Sequence, residues 1–127
     1  DNINYANQII PVTISGFSAD VHFGENCHWQ NNNYVGTIVI TPHTTETTPI
    51  TISMLVRKLG ESNTIPGWTV MLFPQDTAMA EPDTYITLTF QLTPPNSAIS
   101  GDVVITEVLV TGDFRRCTSG PRQIIIP

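Results

Sequence analysis

The sequence predicts an all-β domain, an antiparallel sandwich of about seven to nine short strands, on three observations. Apolar residues recur at every second position, most clearly where Ile86, Leu88, Phe90 and Leu92 alternate with Thr87, Thr89 and Gln91. That is the period of a strand with one face on a core and one in water. Helical periodicity is absent, and prolines or β-branched residues interrupt every window of helical length. Turn signals return roughly every 8 to 12 residues, as they do in sandwiches. A closed barrel or a jelly roll satisfies the same spacing.

A chain of 127 residues is the size of one domain with a single two-layer core. Only 13% of the residues are charged, so Thr, Ser, Asn and Gln supply the polar surface. The net charge is -6 and Lys58 is the sole lysine. Nucleic acid and anionic membrane both require clustered cations, which excludes them as partners. No apolar run reaches the roughly 18 residues that a spanning helix needs.

The elements follow in order. Ile10, Val12 and Ile14 alternate with Pro11, Thr13 and Ser15; Pro11 cannot donate a ladder hydrogen bond, which places this strand at a sheet edge. Ala19, Val21 and Phe23 form a second alternating piece. Residues 24–33 (GENCHWQNNN) read as a loop without regular structure, because Asn31, Asn32 and Asn33 compete for backbone hydrogen bonds and tolerate left-handed conformations. Residues 34–41 are β-branched and nearly continuous in apolar character, as a central strand is. The proline-bounded segment 42–49 connects to a strand with Ile50, Ile52, Met54 and Val56 on one face. Trp68, Val70 and Leu72 then face one way and Met71 and Phe73 the other, until Pro74 stops the pairing. Residues 75–83 read as a turn, Pro94-Pro95 as an extended crossover, residues 103–111 as a strand, and Gln123 to Ile126 as a short terminal strand.

Cys27 and Cys117 are the only cysteines. A disulfide between them closes a loop of roughly 90 residues, worth on the order of 4 to 5 kcal/mol in the chain-entropy model. The alternative is two buried thiols. With a chain that starts at Asp1 rather than methionine, the pair gives the expectation of an extracellular or cell-surface protein secreted through a cleaved signal peptide.

The succession Gly67-Trp68-Thr69-Val70, Glu81-Pro82-Asp83, the strand TYITLTFQL, Thr93-Pro94-Pro95-Asn96-Ser97-Ala98 and Gly101-Asp102-Val103 resembles the immunoglobulin-like NEW3 or alpha-galactosidase-associated domains of secreted glycosidases and surface proteins. It covers roughly residues 37–110, with Pro82-Asp83 where those domains have Pro-Gly. The resemblance implies an immunoglobulin-like sandwich and an extracellular setting, and it transfers no catalytic residue. The alternating N-terminal strand also resembles exported filament subunits, in which a terminal strand of one copy completes the sheet of the next.

No motif carries catalysis. His22, Cys27, His28 and His43 match no metal-site spacing, and Asp76, Glu81 and Asp83 lack the glycine-bearing repeat of a calcium loop, so neither metal nor cofactor is expected. Trp29 and Tyr34 are the candidates for contact with a ligand such as a polysaccharide. Arg115, Arg116 and Arg122 gather the scarce positive charge, a pattern able to order head-to-tail contacts between copies. The expected function is that of a non-catalytic structural protein, a self-assembling filament or surface-layer subunit joined by addition of the strand bearing Ile10, Val12 and Ile14. The alternative is a carbohydrate-binding or glycosidase-accessory module.

Overall fold

The computed structural model describes residues 17–127, so the strand expected around Ile10, Val12 and Ile14 lies outside the described residues. Ten strands and no helix occur among those described: β1 (Ala19–Phe23), β2 (His28–Gln30), β3 (Asn33–Pro42), β4 (Thr48–Lys58), β5 (Thr69–Phe73), β6 (Thr77–Ala80), β7 (Ile86–Thr93), β8 (Val103–Gly112), β9 (Arg115–Thr118) and β10 (Arg122–Ile125). They build two antiparallel sheets. One has the order β1-β3-β7-β5, with β2 also on β3; the other has the order β10-β8-β4-β6, with β9 also on β8.

Ten strands occupy seven positions, because three positions hold an interrupted strand. β1 and β2 pair with successive parts of β3, and β10 and β9 with successive parts of β8. β5 and β6 form the third pair, a single course that leaves one sheet for the other at Pro74, which has no N–H to continue a ladder. Counted by position, the order is the A-B-E-D and G-F-C arrangement of an immunoglobulin-like sandwich. Each break is stabilised locally. At the first, the Gly24 amide donates to the Thr37 carbonyl at 2.8 Å. At the second, the Val108 amide donates to Ser119 Oγ at 3.0 Å, and the Ser119 amide donates to the Val108 carbonyl at 3.1 Å.

Three short strands were not expected from the sequence. His28–Gln30 lies inside the segment read as loop, and folds back on Asn33–Val35 through a two-residue turn at Asn31 (φ 52°) and Asn32 (φ 64°). Two successive left-handed residues match the twist of a hairpin, and asparagine accepts that conformation. Thr77–Ala80 lies inside the segment read as turn and pairs with Thr48–Thr51, while Arg115–Thr118 pairs with Leu109–Gly112.

The core follows the alternation. Ile38, Ile40, Leu88, Phe90 and Leu92 face inward from one sheet, and Ile50, Ile52, Val56, Val108 and Val110 from the other. Phe17 closes one end, lying so near Gly112 that a Cβ there would come within 3.1 Å of its ring. Among the described residues Thr106 is the buried polar one, and its hydroxyl donates to the Leu55 carbonyl at 3.1 Å, which satisfies it. Phe90 sits at the centre with its ring edge-on to Phe23 at 5.7 Å and tilted against Tyr34 at 5.9 Å. Phe90→Ala is expected to lower the unfolding free energy by about 3 to 5 kcal/mol, read as a lower urea midpoint with an unchanged m-value.

Candidate functional site

The side of the sandwich where β5 and β6 divide their course is open. β5 pairs with β7 from Thr69↔Thr93 to Phe73↔Thr89. Its other edge meets no strand among the described residues. On the facing sheet, β6 covers β4 only from Thr48 to Thr51. Beyond it, the Ile52 amide donates to the Asp76 carbonyl at 2.8 Å, and the Ile65 amide donates to the Val56 carbonyl at 2.8 Å. Backbone groups of an antiparallel strand alternate in direction, so the N–H and C=O of Met54 point the same way, into the interval between those two bonds. A groove of about 420 Å³ occupies the seam, with Ile52, Met54, Val70 and Leu72 in its walls. The outward side chains of β5, Met71 and Phe73, are both exposed.

The two ends of the sandwich also differ. At one, the β8–β9 turn places Asp113 at φ 50° and Phe114 at φ 61°. Phenylalanine in this conformation is uncommon, and the left-handed region costs a side-chain-bearing residue on the order of 1 kcal/mol or more. The turn, closed by the Gly112↔Arg115 pair, has the same hairpin-matching form as Asn31-Asn32, and the Phe114 side chain on it is fully exposed (103%). Arg115 and Arg116 follow it, both exposed. The other end carries a groove of about 450 Å³ whose apolar walls include Leu59, Ile65, Trp68 and Ile99. Trp68, read on one strand face with Val70 and Leu72, packs against the core while half-buried at this groove.

Trp29 and Tyr34 are brought together, with ring centroids 5.3 Å apart. They do not form an exposed platform: Tyr34 is 5% exposed, and its hydroxyl accepts a hydrogen bond from Arg122 Nε at 2.9 Å. The Arg122 guanidinium also lies over the Phe23 ring, 5.3 Å from its centroid. This corrects the grouping of Arg122 with Arg115 and Arg116. The three are near in sequence, yet β10 directs Arg122 onto the aromatic cluster and leaves the other two at the turn.

The disulfide between Cys27 and Cys117 is likewise corrected, since both thiols are free. Cys27 precedes β2, and its Sγ donates to the Gly24 carbonyl at 3.3 Å. It lies over Gly36 of its own sheet, where a Cβ would come within 2.5 Å of the sulfur. Cys117 belongs to β9 in the other sheet and pairs with Val110. Each sulfur packs on the core from its own layer.

Of the histidines weighed as ligands, His43 Nε2 lies 2.9 Å from Asp20 Oδ2, both exposed. The hydrogen bond from His43 holds the Asp20 carboxyl below its ordinary value. Among the described residues no three His, Cys, Asp or Glu side chains converge.

Neither a family model nor a curated protein matches the sequence. Solved structures match it in fold. A FixG-related protein from Vibrio parahaemolyticus superposes with a TM-score of 0.63 at 10% identity, over 86% of this chain and 94% of that one. A family 123 glycoside hydrolase from Clostridium perfringens superposes with a TM-score of 0.52 at 10% identity, over 87% of this chain and 28% of the hydrolase. At such identities the likeness is one of β-sandwich architecture. The thiol assignment is checked by alkylating the unfolded protein without reductant: two modified cysteines are expected in the mass spectrum, and an unmodified pair two mass units lighter than the reduced chain contradicts it.

Proposed function

We propose that this chain is a non-catalytic extracellular structural protein whose copies join by β-strand addition, as subunits of a filament or surface layer. The observation that carries the reading is the open edge of β5 beside a seam walled by Ile52, Met54, Val70 and Leu72, with Ser53, Gln75 and Asp76 at its rim. A strand laid along Thr69–Phe73 extends that sheet by one position, and alternate side chains of the added strand enter the groove over Ile52 and Met54.

Residues 9–15 have the chemistry for that place. Ile10, Val12 and Ile14 lie two apart and so share one face of an extended segment, the spacing needed to fill a groove from an edge. Pro11 lacks an N–H, but an edge strand bonds its neighbour through every second residue, so Pro11 is accommodated with its nitrogen on the outer side. The main-chain bonds supply affinity, and the three aliphatic side chains select the partner.

The turns that resemble alpha-galactosidase-associated domains fall at strand connections, Glu81-Pro82-Asp83 before β7 and Pro94-Pro95 after it. They bear on an accessory role through the scaffold alone. The burial of Tyr34 removes one half of the aromatic pair on which polysaccharide binding would draw.

The test is deletion of residues 1–15. The full chain is expected to form high-mass assemblies in light scattering coupled to size exclusion, and the shortened chain to run as a folded monomer lighter than the 14.0 kDa of the full chain. Assemblies that persist after the deletion, or a full chain that stays monomeric and is retained on a polysaccharide matrix, contradict the proposal.

A further inference from the structure

We infer that no copy of this chain can complete its own sheet: the strand laid along β5 comes from a second copy, because residues 9–15 are tethered at the far edge of the same sheet and are too short to cross it. The inference rests on the strand-addition reading above and names whose strand is added.

The register sets the distance to be crossed. β1 is one edge of the sheet and β5 the other, in the order β1-β3-β7-β5. A strand beyond β5 lies four spacings from β1, about 19 Å. The two edges are also offset along the strands. Ala19 pairs with Pro42, whereas Phe73, at the nearer end of β5, pairs with Thr89 and so lies in one row with Thr37. From Thr37 to Pro42 on β3 is about 17 Å at the rise of a strand. Together the offsets put the Phe73 end of an added strand about 26 Å from Ala19.

An extended chain spans at most about 3.6 Å per residue. Ile14 therefore reaches no further than about 18 Å from Ala19, and Val12 about 25 Å. Neither arrives even at the nearer end of β5, so Ile10, Val12 and Ile14 cannot lie along Thr69–Phe73 of their own copy. Nor can the tether swing out by fraying of β1. Phe17 is buried against Gly112 of the other sheet, and the Ser18 carbonyl accepts from the His43 amide at 2.7 Å. A line through the domain is closed by Ile38, Ile40, Leu88 and Phe90, which fill the interior between the two edges.

A second copy meets none of these limits. Neither residues 9–15 nor Thr69–Phe73 carries a charge, so copies of net charge -6 meet there without like charges facing each other. Only Gly16 separates Ser15 from Phe17, which holds the donor's Phe17 within about 7 Å of the seated strand. Donor and acceptor surfaces differ, so the contact is heterologous, and each copy inside an assembly gives one strand and receives another.

Lengthening the tether of the full chain tests this. A Gly/Ser insert of about 20 residues between Gly16 and Phe17 has an r.m.s. span of about 25 Å, enough to bring the arm to its own β5. At micromolar protein the tethered arm, effectively millimolar, is expected to outcompete a neighbour's by on the order of a thousandfold. Assemblies then give way to monomers in sedimentation velocity, and the Thr69–Phe73 amides that point away from β7 exchange slowly in those monomers. Assemblies that persist with the insert as in the unaltered chain overturn the inference, while loss of assembly on deleting residues 1–15 still leaves strand addition standing. A dilute monomer of the unaltered chain with those amides already protected overturns it too. Lengthened monomers in which the same amides exchange fast contradict both readings, since the arm then occupies no β5 edge.

Discussion

Four long strands, β3 with β7 and β4 with β8, impose the constraint on which the rest of the domain depends. Their ladders run from Tyr34↔Leu92 to Ile40↔Ile86 in one sheet and from Ile50↔Gly112 to Lys58↔Val104 in the other. A slip of one residue in either would turn every core side chain to water, so burial of Ile38, Phe90, Ile52 and Val108 fixes the register. With the core secured centrally, the flanking positions tolerate interruption. All three breaks in strand continuity occur at those flanks, at Gly24, Pro74 and Ser119.

The division between β5 and β6 shapes the surface most. A strand that stayed in one sheet would cover one edge along its length. Instead the chain covers part of each sheet and leaves between them a seam floored by Ile52 and Met54. Open edges are ordinarily blunted with charge or proline. β5 carries neither within Thr69–Phe73, although Pro74 follows it directly. That unprotected edge is a place where the fold departs from what stability alone favours, and it is accounted for if the domain is completed by other copies of itself.

The core was legible in the sequence because period-two alternation is a direct imprint of burial. Ile86 to Leu92 and Ile50 to Val56 were read on the faces where the structure has them. β2, β6 and β9 were not, since strands of three or four residues take their pairing from a long neighbour and carry little pattern of their own. Cysteine number and spacing could not reveal that Cys27 turns onto Gly36 instead of toward Cys117. Nor could proximity in sequence separate Arg122, which lies over Phe23, from Arg115 and Arg116 at the turn.

The proposal that copies of this domain complete one another's sheets is tested most directly at the β5 backbone, by amide hydrogen exchange on the full chain and on the chain lacking residues 1–15. Alternate amides of β5 already bond β7; for the others, those of Thr69–Phe73 that point away from β7, slow exchange in the full-length assembly and fast exchange in the shortened monomer is the expected result. Fast exchange at those outward amides within intact assemblies would contradict it, because an added strand cannot leave them free.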